Sequence, residues 1–386
     1  MSESLPSVPP TQQRKIRIAV VFGGRSSEHA ISCVTAGSVL RVLDPERYEV
    51  LPIGISTDGR WVLMAGEETA QLAITGGNLP ARIDETSGAL VTMAADPTAR
   101  ELTVHEPGSV PKALGEVDVV FPLLHGPYGE DGTLQGLLDL AGVAYVGSGV
   151  LSSAVSMDKE FMKRLLASAG LPVGPYVAVR RGEWLRNPGG VAAAVAELGF
   201  PVFVKPARAG SSMGISKVHG PEELAAAMEV AQQHDPKVIV EAMVRGREIE
   251  IGVLAGPGEG PRTSVPAEIK VRGSHEFYDF QAKYLDDSTD IGLPAELTDE
   301  QSAELRRLAL AAFEALECEG LARVDFFLAD EGPDQPARWL VNEVNTMPGF
   351  TPTSMFPQMW AASGVSYAQL VDRLISEALS RPTGLR

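Results

Sequence analysis

Arg323-Val324-Asp325-Phe326-Phe327 and Asn342-Glu343-Val344-Asn345 read as two strands, with a turn through Asp330-Glu331-Gly332-Pro333-Asp334 between them. With that turn centred near Asp334, Asp325 falls opposite Glu343 and Arg323 opposite Asn345. The two-residue period of a strand then puts these four side chains on one face. Val324, Phe326, Leu328, Leu340 and Val344 take the other face, which is core. Directly opposed carboxylates lie roughly 5 Å apart at Cβ and repel. A cation between them removes the penalty. Two carboxylates and an amide oxygen are hard ligands that suit Mg²⁺, above all where phosphate oxygens complete the shell. The competing reading is an exposed polar hairpin face, a common fate of carboxylates.

The rest of the chain bounds what such a site can serve. Its 386 residues suffice for two or three domains, at about 100–200 residues each. Hydrophobic residues at 44% supply cores, and 22% charged residues is ordinary for a folded protein. A formal net charge of -17 opposes binding to nucleic acid or to an anionic membrane, which need a basic footprint. It leaves room for a small anion in a locally basic cleft. Cys33 and Cys318 form no disulfide framework and fit a reducing compartment. Residues 1–14 are polar and Pro-rich, without the apolar core of a signal peptide, and are expected to form a mobile tail. No run approaches the roughly 20 apolar residues of a membrane span. A soluble, cytoplasmic protein is expected.

Ile16 to Phe22 is an apolar run ending in Gly23-Gly24, and a helix is expected to open near Ser26. Val117 to Leu124 is a second buried strand, followed by the loop His125-Gly126-Pro127-Tyr128-Gly129-Glu130-Asp131-Gly132. Ligands of open α/β sheets gather at such carboxyl ends. Gly54 to Ala65 reads as a hairpin about Asp58-Gly59, whereas Leu72 to Leu114 gives no clear assignment. A boundary is expected near Gly147-Ser148-Gly149. Beyond it, Met157 to Ala169 reads as a helix with Asp158 as N-cap, Pro201 to Pro206 as a strand, Glu222 to Gln233 as a helix and Val238 to Glu241 as a strand. A β-rich region begins at Ile249. Glu300 to Glu319 reads as a helix with Leu305, Leu308, Ala312, Phe313 and Leu316 on one face, a Thr298–Gln301 capping box, and Gly320 as its stop.

Ala207-Arg208-Ala209-Gly210-Ser211-Ser212-Met213-Gly214 is a loop of small residues whose N–H groups can approach phosphate oxygens. It lacks the Walker pattern, and Ile215 to Val218 after it reads as a strand, so the loop caps a β-hairpin. A plain Gly/Ser turn is the competing reading. Lys205, inside an apolar strand, reads in isolation as an edge lysine with a snorkelling stem. Lys159 reads as a solvated helix residue. Their positions beside loops favour a cationic phosphate cleft instead. Gly23-Gly24-Arg25-Ser26-Ser27 fails the dinucleotide fingerprint, and His125 has no zinc-ligand spacing around it.

Taken together, these segments resemble the D-alanine–D-alanine ligases of the ATP-grasp superfamily, from about Lys15 to Leu379. The carrying motifs are Phe22 to His29, Leu124 to Thr133, Met157-Asp158-Lys159, Lys205-Pro206 through Gly214, Tyr278 to Tyr284, Arg323-Val324-Asp325, and Asn342 to Thr351. Each is modest alone; their order and spacing together are specific. The resemblance implies an α/β, three-domain ATP-grasp architecture, with domains at 15–148, 149–240 and 241–386. It implies that ATP phosphorylates the carboxylate of one D-alanine and that the amine of a second attacks the acyl phosphate, for peptidoglycan precursor synthesis. ATP and two Mg²⁺ ions, with Mn²⁺ as an alternative, are the implied cofactors, and a homodimer the implied assembly.

Residue by residue, the resemblance places Lys159, Lys205 and Lys283 at the phosphates, and Asp325, Glu343 and Asn345 at the metals. Arg323 and the N–H of Gly349 form an oxyanion hole. Glu28 holds the first substrate's ammonium, with His125 near its carboxylate. Ser211 and Tyr284 join Glu28 in a hydrogen-bond set that orients a lid. Ser354 and the backbone of Met355 anchor the second carboxylate. Glu248 takes the ribose, and Glu241, Met243 and Val244 hold adenine between the walls Phe203 and Phe327. The chain departs from the pattern at Ala242, where some members have lysine, at Met355 for leucine, and at Gln281 for an acidic residue. Relatives that make D-alanyl-D-lactate differ around the lid, and Tyr284 favours an amine nucleophile. One alternative is an ATP-grasp ligase joining other small acids and amines, the D-lactate variant included, and an alternative of another class is a nucleotide-binding regulator without turnover. An oxyanion arginine has little use there.

Overall fold

The computed structural model describes residues 14–74, 79–80, 82–84, 86–106, 108–210, 212–271, 289–330, 332 and 337–383. Ser211, Gln281, Lys283, Tyr284 and the hairpin turn at 333–336 lie outside them, as does the expected tail apart from Arg14, which pairs with Asp118 at 2.6 Å.

Three sheets carry the chain. The first contains β1 (Ile16–Gly23), β2 (Tyr48–Ile55), β3 (Trp61–Leu63), β4 (Ala89–Met93), β5 (Glu101–His105), β6 (Lys112–Glu116), β7 (Val119–Pro122) and β8 (Ala144–Tyr145), in the order β6-β5-β4-β3-β2-β1-β7-β8. β2, β1, β7 and β8 run parallel, and β3 to β6 add an antiparallel wing. Parallel strands covered on both faces read as continuous apolar runs. Accordingly Ile18, Val20 and Phe22 enter one core, and Ala19 and Val21 another. The expected hairpin about Asp58-Gly59 is the β2–β3 pair. The unassigned stretch from Leu72 to Leu114 supplies β4, β5 and part of β6.

The second sheet contains β9 (Tyr176–Val179), β10 (Val202–Pro206), β11 (Ser216–Val218) and β12 (Val238–Ala242), all antiparallel, in the order β11-β10-β12-β9. Along β10, Val202 and Val204 are buried in a core with Val195, Leu224 and Met228, so Phe203 and Lys205 take the opposite face. β10 is an interior strand, contrary to the edge reading of a lone Lys205. The expected helix at Met157 to Ala169 is two helices, Val150–Met157 and Lys159–Ser168, broken at Asp158. The Asp158 carboxylate accepts the Glu160 and Phe161 N–H groups and is the N-cap that the sequence predicts.

The third sheet contains β13 (Gly246–Gly256), β14 (Glu259–Thr263), β15 (Ala267–Val271), β16 (Thr289–Gly292), β17 (Leu321–Ala329) and β18 (Arg338–Asn345). Its order is β16-β15-β13-β17-β18, with β14 on β13. The helix Asp299–Ala315 packs behind it and opens with the expected Thr298–Gln301 capping box. That helix stops at Ala315, short of the expected Glu319, and Glu317 takes a positive φ of 51° before Gly320 does.

Asp325 pairs with Glu343 and Arg323 with Asn345, as the two-strand reading requires. The register then shifts, because Phe326 faces Val341 and Asn342 is the extra residue of a bulge. The shift corrects one expectation. Val341 and Trp339 join Val344 in one core, and Leu340, which is buried as expected, takes the face of its partner Phe327 instead.

The helices Met355–Ala362 and Tyr367–Ser380 turn back to the first sheet. Phe356, Trp360, Leu370, Leu374 and Ile375 share one core with Ile18, Val20, Phe22 and Phe121. Arg381 fastens the end of the chain by donating to the Gly147 and Tyr145 carbonyls at 3.0 and 2.7 Å.

Candidate active site

A cleft of about 310 Å³ runs between the second and third sheets to the loops of the first. At one end lie Phe203, Lys205, Glu241, Met243, Val244, Glu248 and Phe327. In the middle lie Lys159, Arg323, Asp325, Glu343 and Asn345, and at the far end Glu28, His125 and Gly349. Ser354 and Met355 do not line it. The Ser354 hydroxyl accepts the Thr351 N–H at 3.1 Å, and Met355 is buried beside Ile269 and Met359.

Strand register arranges the middle. Glu250 pairs with Asp325 and Asp325 with Glu343, so one carboxylate from each of β13, β17 and β18 forms a row. The next row holds Arg323 and Asn345. Arg323 grips both Asp325 oxygens at 2.7 Å and approaches Glu250 at 3.2 Å. Burial alone would lower its pKa, but Asp325 and Glu250 raise it well above the usual value. Lys159 donates to the Ala209 carbonyl at 2.9 Å, which ties it to the small-residue loop, and stands 3.8 Å from Glu343. In that loop the Met213 N–H donates to the Gly210 carbonyl, and Ser212 and Gly214 take positive φ.

These residues fit a divalent cation. Among the described residues no three acidic, His or Cys side chains converge on one point. A cation at Asp325 and Glu343 would need further oxygens from its ligand and from the Asn345 amide, whose Nδ2 group donates to Asp325 at 3.1 Å.

At the Glu241 end each carboxylate oxygen has its own ammonium: Lys205 at 2.5 Å and Lys163 at 3.1 Å. Burial pushes the Glu241 pKa up, but the two lysines overcome it and bring it down to about 2. Lys205 lies 5.9 Å from the centre of the Phe203 ring.

At the far end, the Ser26 hydroxyl accepts the Glu28 N–H and donates to the His125 carbonyl at 2.6 Å, joining two loops. The helix expected from Ser26 therefore starts only at His29. The His125 ring hydrogen-bonds the Met347 backbone, and burial lowers its pKa against the pull of Glu28. Its Nε2 is buried with no partner among the described residues. Such an atom at a cleft wall calls for a ligand group.

Glu130, which the sequence reading left aside, accepts the Gly126 N–H at 2.7 Å. Loss of water and the neighbouring Glu28 push its carboxyl up to about 8 from 4.5. The folded chain thus keeps a proton that the unfolded chain releases, and stability falls as pH rises from about 4.5 to about 8. Glu130→Gln is expected to remove this slope. Its Tm relative to the parent should rise steadily across a pH 5 to 8 series. A constant difference would mean that Glu130 ionises normally.

Two sheets closing on a lysine- and carboxylate-lined cleft, with a third α/β unit at one end, make an ATP-grasp architecture. Family models described as D-ala D-ala ligase N-terminus and D-ala D-ala ligase C-terminus match residues 17–148 and 165–376. A D-alanine–D-alanine ligase of Streptomyces griseus is 58% identical, covering 100% of both chains. One from Pseudarthrobacter chlorophenolicus is 56% identical over 100% of this chain and 99% of its own. Among solved structures, the VanG D-Ala:D-Ser ligase from Enterococcus faecalis has a TM-score of 0.79 at 35% identity, covering 95% of this chain and 100% of its own. The D-alanine–D-alanine ligase from Coxiella burnetii has a TM-score of 0.77 at 33% identity, covering 95% and 94%. The chain belongs to the D-alanine–D-alanine ligase family.

Proposed function

We propose that this chain joins two D-alanine molecules at the expense of ATP, through an acyl phosphate, for peptidoglycan precursor synthesis. The observation that carries the reading is one continuous cleft. It joins a lysine pair on an acidic base-binding end, a carboxylate row beside a small-residue loop, and a histidine nitrogen beside Glu28 with no partner among the described residues.

In this proposal Lys159 and Lys205, with Lys283, bind the phosphates and offset charge on the transferring group. Asp325, Glu343 and Asn345 would hold two Mg²⁺ ions, or Mn²⁺, which would supply charge neutralisation at the phosphoryl oxygens. Glu28 takes the first ammonium and the His125 Nε2 meets its carboxylate. Arg323 and the Gly349 N–H stabilise the tetrahedral oxyanion. Ser211 and Tyr284 complete the lid contact with Glu28. The start of the helix at Ser354 and Met355 receives the second carboxylate, as helix N-termini do for anions. Glu248 meets ribose, and Glu241, Met243 and Val244 meet adenine between Phe203 and Phe327. Three domains at 15–148, 149–240 and 241–386, a homodimer and a cytoplasmic location belong to the same proposal. No helix among the described residues is long and apolar enough to cross a membrane.

The test is ATP-dependent phosphate release with D-alanine against L-alanine, D-serine and D-lactate. D-Alanine alone should give full turnover, and ¹⁸O from its carboxylate should appear in the released phosphate. Retention of all label in the product, or release of pyrophosphate, would exclude the acyl phosphate.

A further inference from the structure

Lys163 has no part in the roles above, yet it is among the most enclosed charges in the protein, with its side chain 3% exposed. It lies one helical turn after Lys159 on the helix Lys159–Ser168. Its ammonium meets Glu241 at 3.1 Å and donates to the Asn342 carbonyl at 3.1 Å. A buried charge so placed is expensive unless every contact is used. Both contacts fall at informative places. Glu241 lines the cleft next to Ala242, Met243 and Val244, and Asn342 is the bulge residue immediately before Glu343.

We propose that Lys163 is a positioning residue that sets the preference of this cleft for adenine over guanine nucleotides. The proposal rests on the reading of the Glu241 end as the base subsite. With one ammonium on each oxygen, the Glu241 carboxylate is held in a single orientation. An ionised carboxylate only accepts hydrogen bonds. Adenine offers an amino donor at its six position, where guanine offers a carbonyl acceptor. Against a fixed acceptor adenine pairs, and guanine leaves two acceptors face to face. Sites that leave a buried polar group unpaired reject the wrong ligand strongly. The low pKa of Glu241 agrees with this arrangement. Lys205 cannot act alone, since it reaches only the second oxygen. Through Asn342, the same ammonium also ties the base end to the strand that carries Glu343 and Asn345.

The experiment compares kcat and KM for ATP and for GTP, with D-alanine saturating, in Lys163→Met, Lys163→Arg and Glu241→Gln. Freed from Lys163, Glu241 can turn. Lys163→Met should therefore raise KM for ATP at least tenfold with a smaller change in kcat, and should lower the ATP-to-GTP ratio of kcat/KM at least tenfold. Lys163→Arg should restore the ratio. Lys163→Gln, which keeps a donor for Asn342 without the charge, replaces the methionine variant if that one fails to fold. A folded variant that loses ATP and GTP activity equally would overturn the role of Lys163. If Glu241→Gln shifts the ratio but Lys163→Met does not, only Lys163 has been misread. If Glu241→Gln also leaves the ratio unchanged, the base subsite itself lies elsewhere.

Discussion

Glu343→Gln should leave the protein folded and reduce turnover by about 10³-fold or more, which is ~4 kcal/mol in the transition state at 1.36 kcal/mol per tenfold. The substitution keeps shape and removes one negative charge. Glu343 stands at the end of the carboxylate row, and the hydrogen bonds of Arg323 go to Asp325, with Glu250 at 3.2 Å. Lys159, 3.8 Å from Glu343, keeps its bond to the Ala209 carbonyl. Folding therefore loses little, and relief of repulsion with Asp325 offsets part of that. The chemistry loses far more. A neutral amide is a poor partner for a divalent ion, and charge on the phosphoryl oxygens is left uncompensated. Steady-state phosphate release and a melting curve on the same preparation decide the matter. Activity within about threefold of the parent would remove Glu343 from the metal set.

Arg323→Met should be the most damaging single change to both fold and activity. Arg323 is the guanidinium that answers Asp325 and Glu250, two carboxylates from adjacent strands. Methionine fills its volume and leaves those charges facing each other in a covered site. Breaking a buried pair from one side costs about 3–5 kcal/mol, because the remaining charge stays uncompensated. Here the compensation is shared, so adding Glu250→Gln to Arg323→Met should return part of the stability. Turnover should not return with it, since the double variant still lacks the cation proposed to face the oxyanion, worth about 10²–10³ in rate. Denaturant unfolding of the single and double variants tests the first half, and kcat tests the second. A double variant no more stable than Arg323→Met would show that Glu250 is balanced by another group.

The hairpin at the centre of the third sheet was legible because its signals are local. Asp325 and Glu343 alternate with apolar residues, and the pairing follows from where the turn lies. Leu340 was misplaced for an equally local reason. A bulge at Asn342 reverses the alternation, and no residue type there announces it. The wing β4 to β6 escaped because it lacks a strong pattern: Lys112–Glu116 has no buried residue at all. Among the charged residues that were missed are Glu250 and Glu130, which line the cleft, and Lys163, which meets Glu241 at its wall. Glu250 was visible in the alternation of Arg247-Glu248-Ile249-Glu250-Ile251, which puts it on the same strand face as Glu248. Lys163 could have been found from its spacing of four from Lys159, which shares a helix face. Glu130 had no such signal, because its perturbation comes from burial in the folded chain and then from Glu28, distant in sequence and near in space. The lid assignments at Ser211 and Tyr284 and the phosphate assignment at Lys283 came from resemblance to relatives and remain part of the proposal.

The core shared by the first sheet and the last two helices has a consequence for biosynthesis. As the chain leaves the ribosome, β1, β2 and β7 are available early, but the layer of Ile18, Val20, Phe22 and Phe121 lacks part of its cover. Phe350, Phe356, Trp360, Leu370 and Leu374 must first emerge. Domains usually mature in the order in which they are made. In this protein the second sheet, whose core draws only on residues 177–240, can close while the first still waits. The first sheet is thus completed by helices translated after both of the other sheets, and loss of those helices would uncover strands made long before them.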